Sequence, residues 1–391
     1  MSTTTSAETM TTLEVDREHL EITRERNENL AEVWASAPDG SALLRVDGFA
    51  LTSNNITYAV FGDGLRYWDF FPAQADDDHL WGRIPVWGFA TVVETRCDGV
   101  KQGDRVYGYL PMSSHLVVQP GRIDERGWTD IAAHRSAMAS AYNRYVLTSA
   151  DPVYQPHREA EQMILWPLFM TSFMIDDYVA ASMADTVQNA STDVPGTMII
   201  SSASSKTALG TAYLARQRTD LRVVGLTSSA NEDFVQSLGC YHQVITYDRI
   251  DNQLADVIAS GSHVGPIAYV DIAGNQKVTR AVHTVLGNQL QQSLVVGGTH
   301  WDAAVGGTAD SVMSGPKPEF FFAPTLIAQR TKEWGREGFE ARVGSAWETW
   351  VEWCGSWMVI DQAVGIDAVT TSYHNLLAGE TDPRHGLIAG I

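Results

Sequence analysis

Residues 196–247 constrain the fold more than any other part of the chain. They open on the apolar run Met198, Ile199 and Ile200, break into small and polar residues, and resume with Ala208, Leu209, Ala212, Tyr213, Leu214 and Ala215 at helical spacing. Two further apolar runs, 223–226 and 244–245, flank a second helical pattern at Phe234, Val235 and Leu238 that Gly239 stops. Short apolar strands joined by helices fold as a parallel sheet with right-handed crossovers. The first strand-to-helix turn of such a sheet aims backbone N–H groups and a helix N-terminus at an anion, so it is the expected seat of a dinucleotide pyrophosphate.

A glycine-rich turn is the usual way to bring backbone close to that pyrophosphate. Here the turn reads Ser202-Ala203-Ser204-Ser205-Lys206-Thr207-Ala208, with no glycine before Gly210. Small hydroxyl residues still permit close approach. Ser202, Ser204, Ser205 and Thr207 are candidate phosphate partners, and Lys206 adds a charge. The plainer alternative is a serine-rich turn that only caps a helix. At the end of the second strand, NAD sites carry a carboxylate for the ribose 2′-hydroxyl. This chain has Thr227, Ser228, Ser229 and Asn231 there, with Glu232 and Asp233 only in the following helix and no arginine close in sequence. Neutral hydroxyls suit a 2′-phosphate better, so the expected cofactor is NADP.

The chain has 391 residues, enough for one large or two medium domains, and 44% of them are hydrophobic, ample for a packed core. A net charge of −20 argues against nucleic acid or an anionic membrane as partner. Three scattered cysteines, Cys97, Cys240 and Cys354, fit a reducing compartment without a disulfide framework. The first twelve residues have neither a basic region nor an apolar run, so a disordered arm is expected rather than a signal peptide. The most apolar stretch, 163–175, is too short to span a bilayer and contains Pro167, Thr171 and Ser172. These features together predict a soluble, cytoplasmic protein.

Residues 44–51, 90–94, 104–109 and 115–118 alternate with period two between Gly and Pro breaks and read as antiparallel strands. Residues 131–190 are mostly helical in pattern. Further strands are expected at 267–271, 293–298 and 387–389, with a helical pattern over 324–357.

This order of parts resembles the medium-chain dehydrogenase/reductase superfamily. The resemblance rests on GVKQGDRVYGY from Gly99, the strand-turn-helix at Met198, SLGCYHQVITYD from Ser237, YVDIAG from Tyr269 and LVVGGT from Leu294. More narrowly, NNITYAVFGD, YWDFFP, PVWGFA, YGYLP and SSKTA look like the DUF2855 family. The superfamily resemblance implies an α/β chain in which a GroES-like β-barrel domain joins a Rossmann domain with a doubly wound parallel sheet. The implied division is a partly disordered arm at 1–40, the GroES-like domain at 41–165, the NADP-binding domain at 166–325, and a segment at 326–391 that returns to the first domain. It also implies a homodimer. It extends the cofactor set to Tyr247, matched to a tyrosine near the 2′-phosphate in NADP-dependent quinone reductases, and to Asp271, Gly274, Gly297, Gly298 and Thr299.

The departures from the superfamily matter as much. Asn55-Ile56-Thr57-Tyr58 stands where a zinc enzyme has its first cysteine, and Gly88-Phe89-Ala90 where it has Gly-His-Glu. Neither offers a thiolate or an imidazole, so no catalytic zinc is expected. The zinc-free branch contains quinone and enoyl reductases, which implies hydride transfer to a small, apolar or conjugated carbonyl substrate or a quinone. The enolate formed then needs a proton donor. Tyr67, then Tyr58, fill that role in the segment that by resemblance lines the cleft, and Asn55 completes the candidate catalytic set. Trp68, Phe70, Phe71 and Trp87 read either as a pocket wall or as core. The run Asp76-Asp77-Asp78-His79 reads as a solvated loop. Alternatives are a zinc-free carbonyl reductase or alcohol dehydrogenase using Tyr58, and an NADPH-binding sensor without turnover.

Overall fold

The computed structural model describes residues 8–74, 76, 79–190, 195–256, 265–297 and 313–391. It divides into one unit made of Met1–Trp166 with Gly355–Ile391 and a second made of Pro167–Cys354.

In the second unit the apolar runs become a six-stranded sheet. Its spatial order is Gln243–Thr246, Leu221–Thr227, Gly196–Ile200, Ile267–Asp271, Leu290–Val295 and Glu319–Phe320. Every neighbouring pair is parallel. Counted along the chain this is the doubly wound order 3-2-1-4-5-6 of a Rossmann sheet, with the reversal between the strands Gly196–Ile200 and Ile267–Asp271. All five residues of Ile267–Asp271 are buried, as a strand covered on both faces requires. The crossover helix Lys206–Arg216 buries Ala208, Leu209, Ala212 and Ala215. A Cβ on its Gly210 would meet the Ser172 Oγ at 2.6 Å, so glycine there permits close helix packing. The helical pattern over 324–357 resolves into two helices, Ala323–Trp334 and Arg336–Gly355. Gly335, at φ +71°, breaks them apart. Both lie in this unit, so the chain passes back to the first unit at Gly355 and not at 326.

In the first unit the strands Ala42–Leu51, Pro85–Thr95 and Arg105–Pro111 pair antiparallel, and Arg144–Leu147, Gly127–Asp130 and Pro120–Asp124 extend the same sheet. His115–Val118 pairs the other edge of Ala42–Leu51. The last strand, His385–Gly390, closes on Ala42–Leu51 with Ala389 opposite Phe49, and Val359–Val364 runs parallel beside it.

The N-terminal arm differs from expectation. From Thr9 it is a strand, paired with Thr23–Asn29 and Trp81–Gly82 in a three-stranded sheet. The threonines that make it look like an unstructured polar leader are β-branched strand formers. Thr12, Leu13, Glu14 and Val15 are all buried. The Glu14 carboxylate is held between Arg24 and Arg83, with Nε–O distances of 2.8 and 2.9 Å. Arg24 stands opposite Glu14 on the paired strand and Arg83 comes from 69 residues away, so the partners of this buried charge show only once the sheet is formed.

Residues 131–190 are also less uniformly helical than expected, since Arg144–Leu147 is a strand. The helix that follows, Glu159–Ala190, has 32 residues with Pro167 inside it. It is longer than its apolar run. The segment Pro156–Ala184 is long and apolar enough to cross a membrane by length and composition, although 56% of its most apolar window is buried, as in a core helix.

Gly225, in the strand Leu221–Thr227, tests how tightly the strand-turn-helix is built. A Cβ there would lie 2.8 Å from the Tyr241 ring and 2.9 Å from the Ala203 Cβ. Gly225→Ala is expected to lower stability by about 1–3 kcal/mol. Urea unfolding checks this, and an unchanged midpoint would contradict the close approach.

Candidate functional site

The turn after the first parallel strand is tightly organised without glycine. Ser202 adopts the left-handed conformation at φ 51°, uncommon for a residue with a side chain. Its N–H donates to the Tyr247 hydroxyl at 3.0 Å, and its carbonyl accepts from Ser205 N–H at 2.8 Å. The Ala203 N–H donates to Leu226 O at 3.0 Å, and the Tyr241 hydroxyl donates to Ala203 O at 2.9 Å. Ser204 Oγ accepts from the Asn231 amide at 3.1 Å. Ser205 is the N-cap of the eleven-residue helix Lys206–Arg216, its Oγ accepting from Ala208 N–H at 3.3 Å. The turn therefore presents a helix N-terminus, with Lys206 and Thr207 in the first turn, at the C-terminal edge of the sheet.

Asp271 lies across the strand reversal and is buried. It accepts from the Ser201 hydroxyl at 2.8 Å, the Thr279 hydroxyl at 2.8 Å and Gly274 N–H at 3.1 Å. Its oxygens are engaged within the protein, so it shapes the crevice by fixing strand ends. Gly274, at φ 73°, turns the chain into the helix Gln276–Leu286. Gly297 is buried just after the strand Leu290–Val295. Gly298 and Thr299 lie outside the described residues.

At the end of the second strand, Thr227 is buried and aligned with Thr246. That register brings the turn Tyr247–Arg249 alongside Ser228 and Ser229. Ser229 Oγ donates to Asp248 at 3.4 Å, and Arg249 pairs with Glu232 at 3.4 Å. The Thr246 side chain, and then the turn's own backbone, hold the Asp248 carboxyl below its ordinary value. Sequence reasoning missed both Asp248 and Arg249. They are remote from Ser228 along the chain, and only the parallel pairing of the second and third strands makes them neighbours.

The candidate tyrosines occupy the first unit, in a cluster of rings. Tyr58 and Tyr67 lie 4.6 Å apart by centroid, Tyr109 and Tyr142 4.9 Å, Trp87 and Tyr109 4.9 Å, and Phe70 and Tyr109 5.0 Å. Trp87 Nε1 donates to the Tyr58 hydroxyl at 3.2 Å, and the Tyr67 and Tyr142 hydroxyls are 3.4 Å apart. Tyr58 and Tyr67 are buried, whereas Tyr142 and Trp87 are half-buried and form the accessible side of the cluster. Burial raises the Tyr58, Tyr67, Tyr109 and Tyr142 phenols above the ordinary tyrosine value, so all four are neutral donors at neutral pH. Arg135 lies beneath, with its guanidinium 5.3 and 5.0 Å from the Phe70 and Phe71 rings. It donates to Asp130 at 2.8 Å, the Tyr145 hydroxyl at 3.1 Å and Tyr142 O at 3.1 Å. Tyr142 and Arg135 carried no signal in the sequence.

Asn55 is buried, with Oδ1 accepting from Thr52 N–H at 2.7 Å and Nδ2 donating to Pro85 O at 2.9 Å. It ties the helix Ser53–Val60, which carries Tyr58, to the sheet. Trp68 packs against Gly62 and Gly82. The acidic run does not assemble a metal site among the described residues. His79 Nδ1 is 2.5 Å from Asp16, Asp76 accepts from Trp81 Nε1 at 2.6 Å, and Asp77 and Asp78 lie outside the described residues.

A doubly wound parallel sheet in one unit and an antiparallel sheet closed by the C-terminal strand in the other define the fold of medium-chain dehydrogenases/reductases, a GroES-like domain with a Rossmann domain. The chain belongs to the family described as protein of unknown function DUF2855, which matches residues 49–382. No curated protein matches it. Among solved structures it is similar to CurA from Vibrio vulnificus in complex with NADPH, at 12% identity and TM-score 0.56 over 94% of each chain. It is similar to a mutant enoyl thioester reductase from Candida tropicalis, at 11% identity and TM-score 0.54 over 98% of this chain and 100% of that one. The yhdH oxidoreductase from Salmonella enterica in complex with NADP gives 13% identity and TM-score 0.53 over 97% and 99%.

The buried phenols make a prediction about alkali. Their pKa values in the folded chain lie above that of a free tyrosine. The stability they contribute is thus complete below about pH 10 and is lost as pH rises beyond it, when the unfolded chain ionises first. Thermal unfolding followed between about pH 8 and pH 11 should show a level midpoint and then a fall. Tyrosinate absorbance from the core should appear only with unfolding. Ionisation of these phenols in the folded state near their ordinary pKa would contradict the burial.

Proposed function

We propose that the protein is an NADP-dependent oxidoreductase that reduces an α,β-unsaturated carbonyl or a quinone without zinc. The observation that carries the reading is the strand-turn-helix at the sheet's reversal, where the left-handed Ser202 and the N-terminus of Lys206–Arg216 form a seat for a pyrophosphate. The similar structures of CurA in complex with NADPH and yhdH in complex with NADP, and that of the enoyl thioester reductase, support it.

In this reading Ser202, Ser204, Lys206 and Thr207 hold the pyrophosphate, and Ser205 keeps the helix N-terminus in place. Thr227, Ser228, Ser229 and Asn231 receive the adenosine ribose, and Tyr247 fixes the turn against that end. Asp271 and Gly274 set the crevice, and Gly297, just after the strand Leu290–Val295, borders the nicotinamide side. When bound, reduced NADP supplies a hydride. Reduction of a conjugated carbonyl leaves the displaced electron pair on its oxygen, and a neutral hydroxyl must meet it. Tyr67 is the first candidate, with Tyr142 bonded to it as the group that restores its proton, and Tyr58 is the second. Asn55 acts as a positioning residue through the Tyr58 helix. The zinc-free assignment rests on Asn55 and on Gly88 to Ala90, where no metal ligand is available.

Fluorescence titration with NADPH, followed by loss of NADPH absorbance with a panel of enones, quinones and aldehydes, tests the reading. Tyr67→Phe should keep NADPH affinity and slow single-turnover hydride transfer by about 10²–10⁴-fold. Tyr58→Phe and Tyr142→Phe rank the remaining phenols. Parent rates in all three and in the triple variant would remove the phenols from the chemistry. Binding without turnover on any panel member would leave a sensor.

A further inference from the structure

The reading above leaves the 2′-phosphate of NADP facing neutral hydroxyls. The sheet register supplies what the second strand lacks. Thr227 is paired with Thr246, so the turn Tyr247–Arg249 borders Ser228 and Ser229. Three charges meet in this corner: Asp248, which accepts from Ser229 Oγ at 3.4 Å, and Arg249, whose guanidinium is 3.4 Å from Glu232. The Arg249 side chain is 49% exposed and that of Glu232 22%. The corner is fixed to the phosphate turn, because Tyr247 accepts from Ser202 N–H at 3.0 Å and Asn231 donates to Ser204 at 3.1 Å.

We infer that Arg249 reads the 2′-phosphate of the cofactor, restrained by Glu232 and opposed by Asp248, so that a charge set on the third-strand turn chooses between NADPH and NADH. The inference rests on the NADP reading and deepens it. A guanidinium has five donors in a planar fork and can turn a pair of them to a phosphate. An exposed pair at 3.4 Å is weakly held, so exchanging a carboxylate for a phosphate dianion there meets little resistance. Asp248 works in the opposite sense. A carboxylate beside the ribose accepts from a free 2′-hydroxyl and repels a 2′-phosphate. Arg249 and Asp248, adjacent in sequence, thus favour different cofactors, and Glu232 sets how freely Arg249 competes.

Equilibrium titration of the full chain with NADPH, NADH, 2′,5′-ADP and 5′-AMP tests this in the parent, Arg249→Ala, Asp248→Asn and Glu232→Gln. Thermal unfolding confirms that each variant is folded. Arg249→Ala should weaken NADPH and 2′,5′-ADP by about 10- to 100-fold and leave NADH and 5′-AMP unchanged. Asp248→Asn should tighten NADPH and weaken NADH, and Glu232→Gln should tighten NADPH alone. Equal losses of NADPH and NADH in Arg249→Ala, or no change in either, would overturn the inference while leaving the NADP reading intact. A folded parent that binds neither dinucleotide would overturn both.

Discussion

The hydrogen bond from Ser201 to Asp271 is the contact on which the second unit's site depends. It joins the ends of the two strands between which the sheet order reverses, at 2.8 Å and out of contact with water. The same carboxylate accepts from Thr279 and Gly274 N–H, so one buried charge fixes both strand ends and the next helix. Removing one donor would leave a buried carboxylate short of a partner, at a cost of about 1–3 kcal/mol or more. The turn at Ser202 inherits that rigidity. A strained left-handed serine persists because Tyr247, Leu226 and Tyr241 hold the backbone on either side of it. Glycine supplies the same conformation without strain; here the neighbours supply it.

The first unit solves a different problem, that of burying several phenols in one place. Partners for the Tyr58, Tyr67 and Tyr145 hydroxyls come from within the cluster: Trp87 to Tyr58, Tyr67 to Tyr142, and Tyr145 to the Tyr109 carbonyl. The Tyr109 hydroxyl is buried and has no hydrogen-bond partner among the described residues. Arg135 adds a cation that is itself neutralised by Asp130 at 2.8 Å. Such a pair is weak evidence for stability, since desolvation offsets most of the attraction. Its effect is positional, because the guanidinium fixes the Tyr142 carbonyl and packs on Phe70. Rings held this way are preorganised, and their protons stay in place over the physiological pH range.

Much of this could be read from the sequence, for identifiable reasons. Most of the parallel strands are short apolar runs, and runs of that kind are local signals. The strands expected at 44–51, 104–109 and 115–118 stand at Ala42–Leu51, Arg105–Pro111 and His115–Val118, each end within two residues of its expected place. The N-terminal strand did not announce itself, since Glu14 is compatible with burial only once Arg24 and Arg83 arrive from elsewhere. The helical pattern ending at 357 hid the break at Gly335, as a single glycine is a weak stop until its positive φ is seen. The site divides along the same line. The serines of the turn at 202–205 and the tyrosines at 58 and 67 sit in recognisable segments. Tyr142 meets Tyr67 from 75 residues away, and Arg249 reaches the second strand's end through sheet register alone. What was missed was assembled by pairing between distant segments.

Hydride transfer can be followed directly. The parent protein is mixed with an enone and NADPH carrying deuterium at the nicotinamide carbon that gives up hydride, and the product is examined for the label's position. One deuterium is expected on the carbon β to the carbonyl and one solvent-derived hydrogen on the α carbon. NADPH oxidation that leaves the label out of the product, or no transfer to any enone or quinone by folded, NADPH-bound protein, would contradict it.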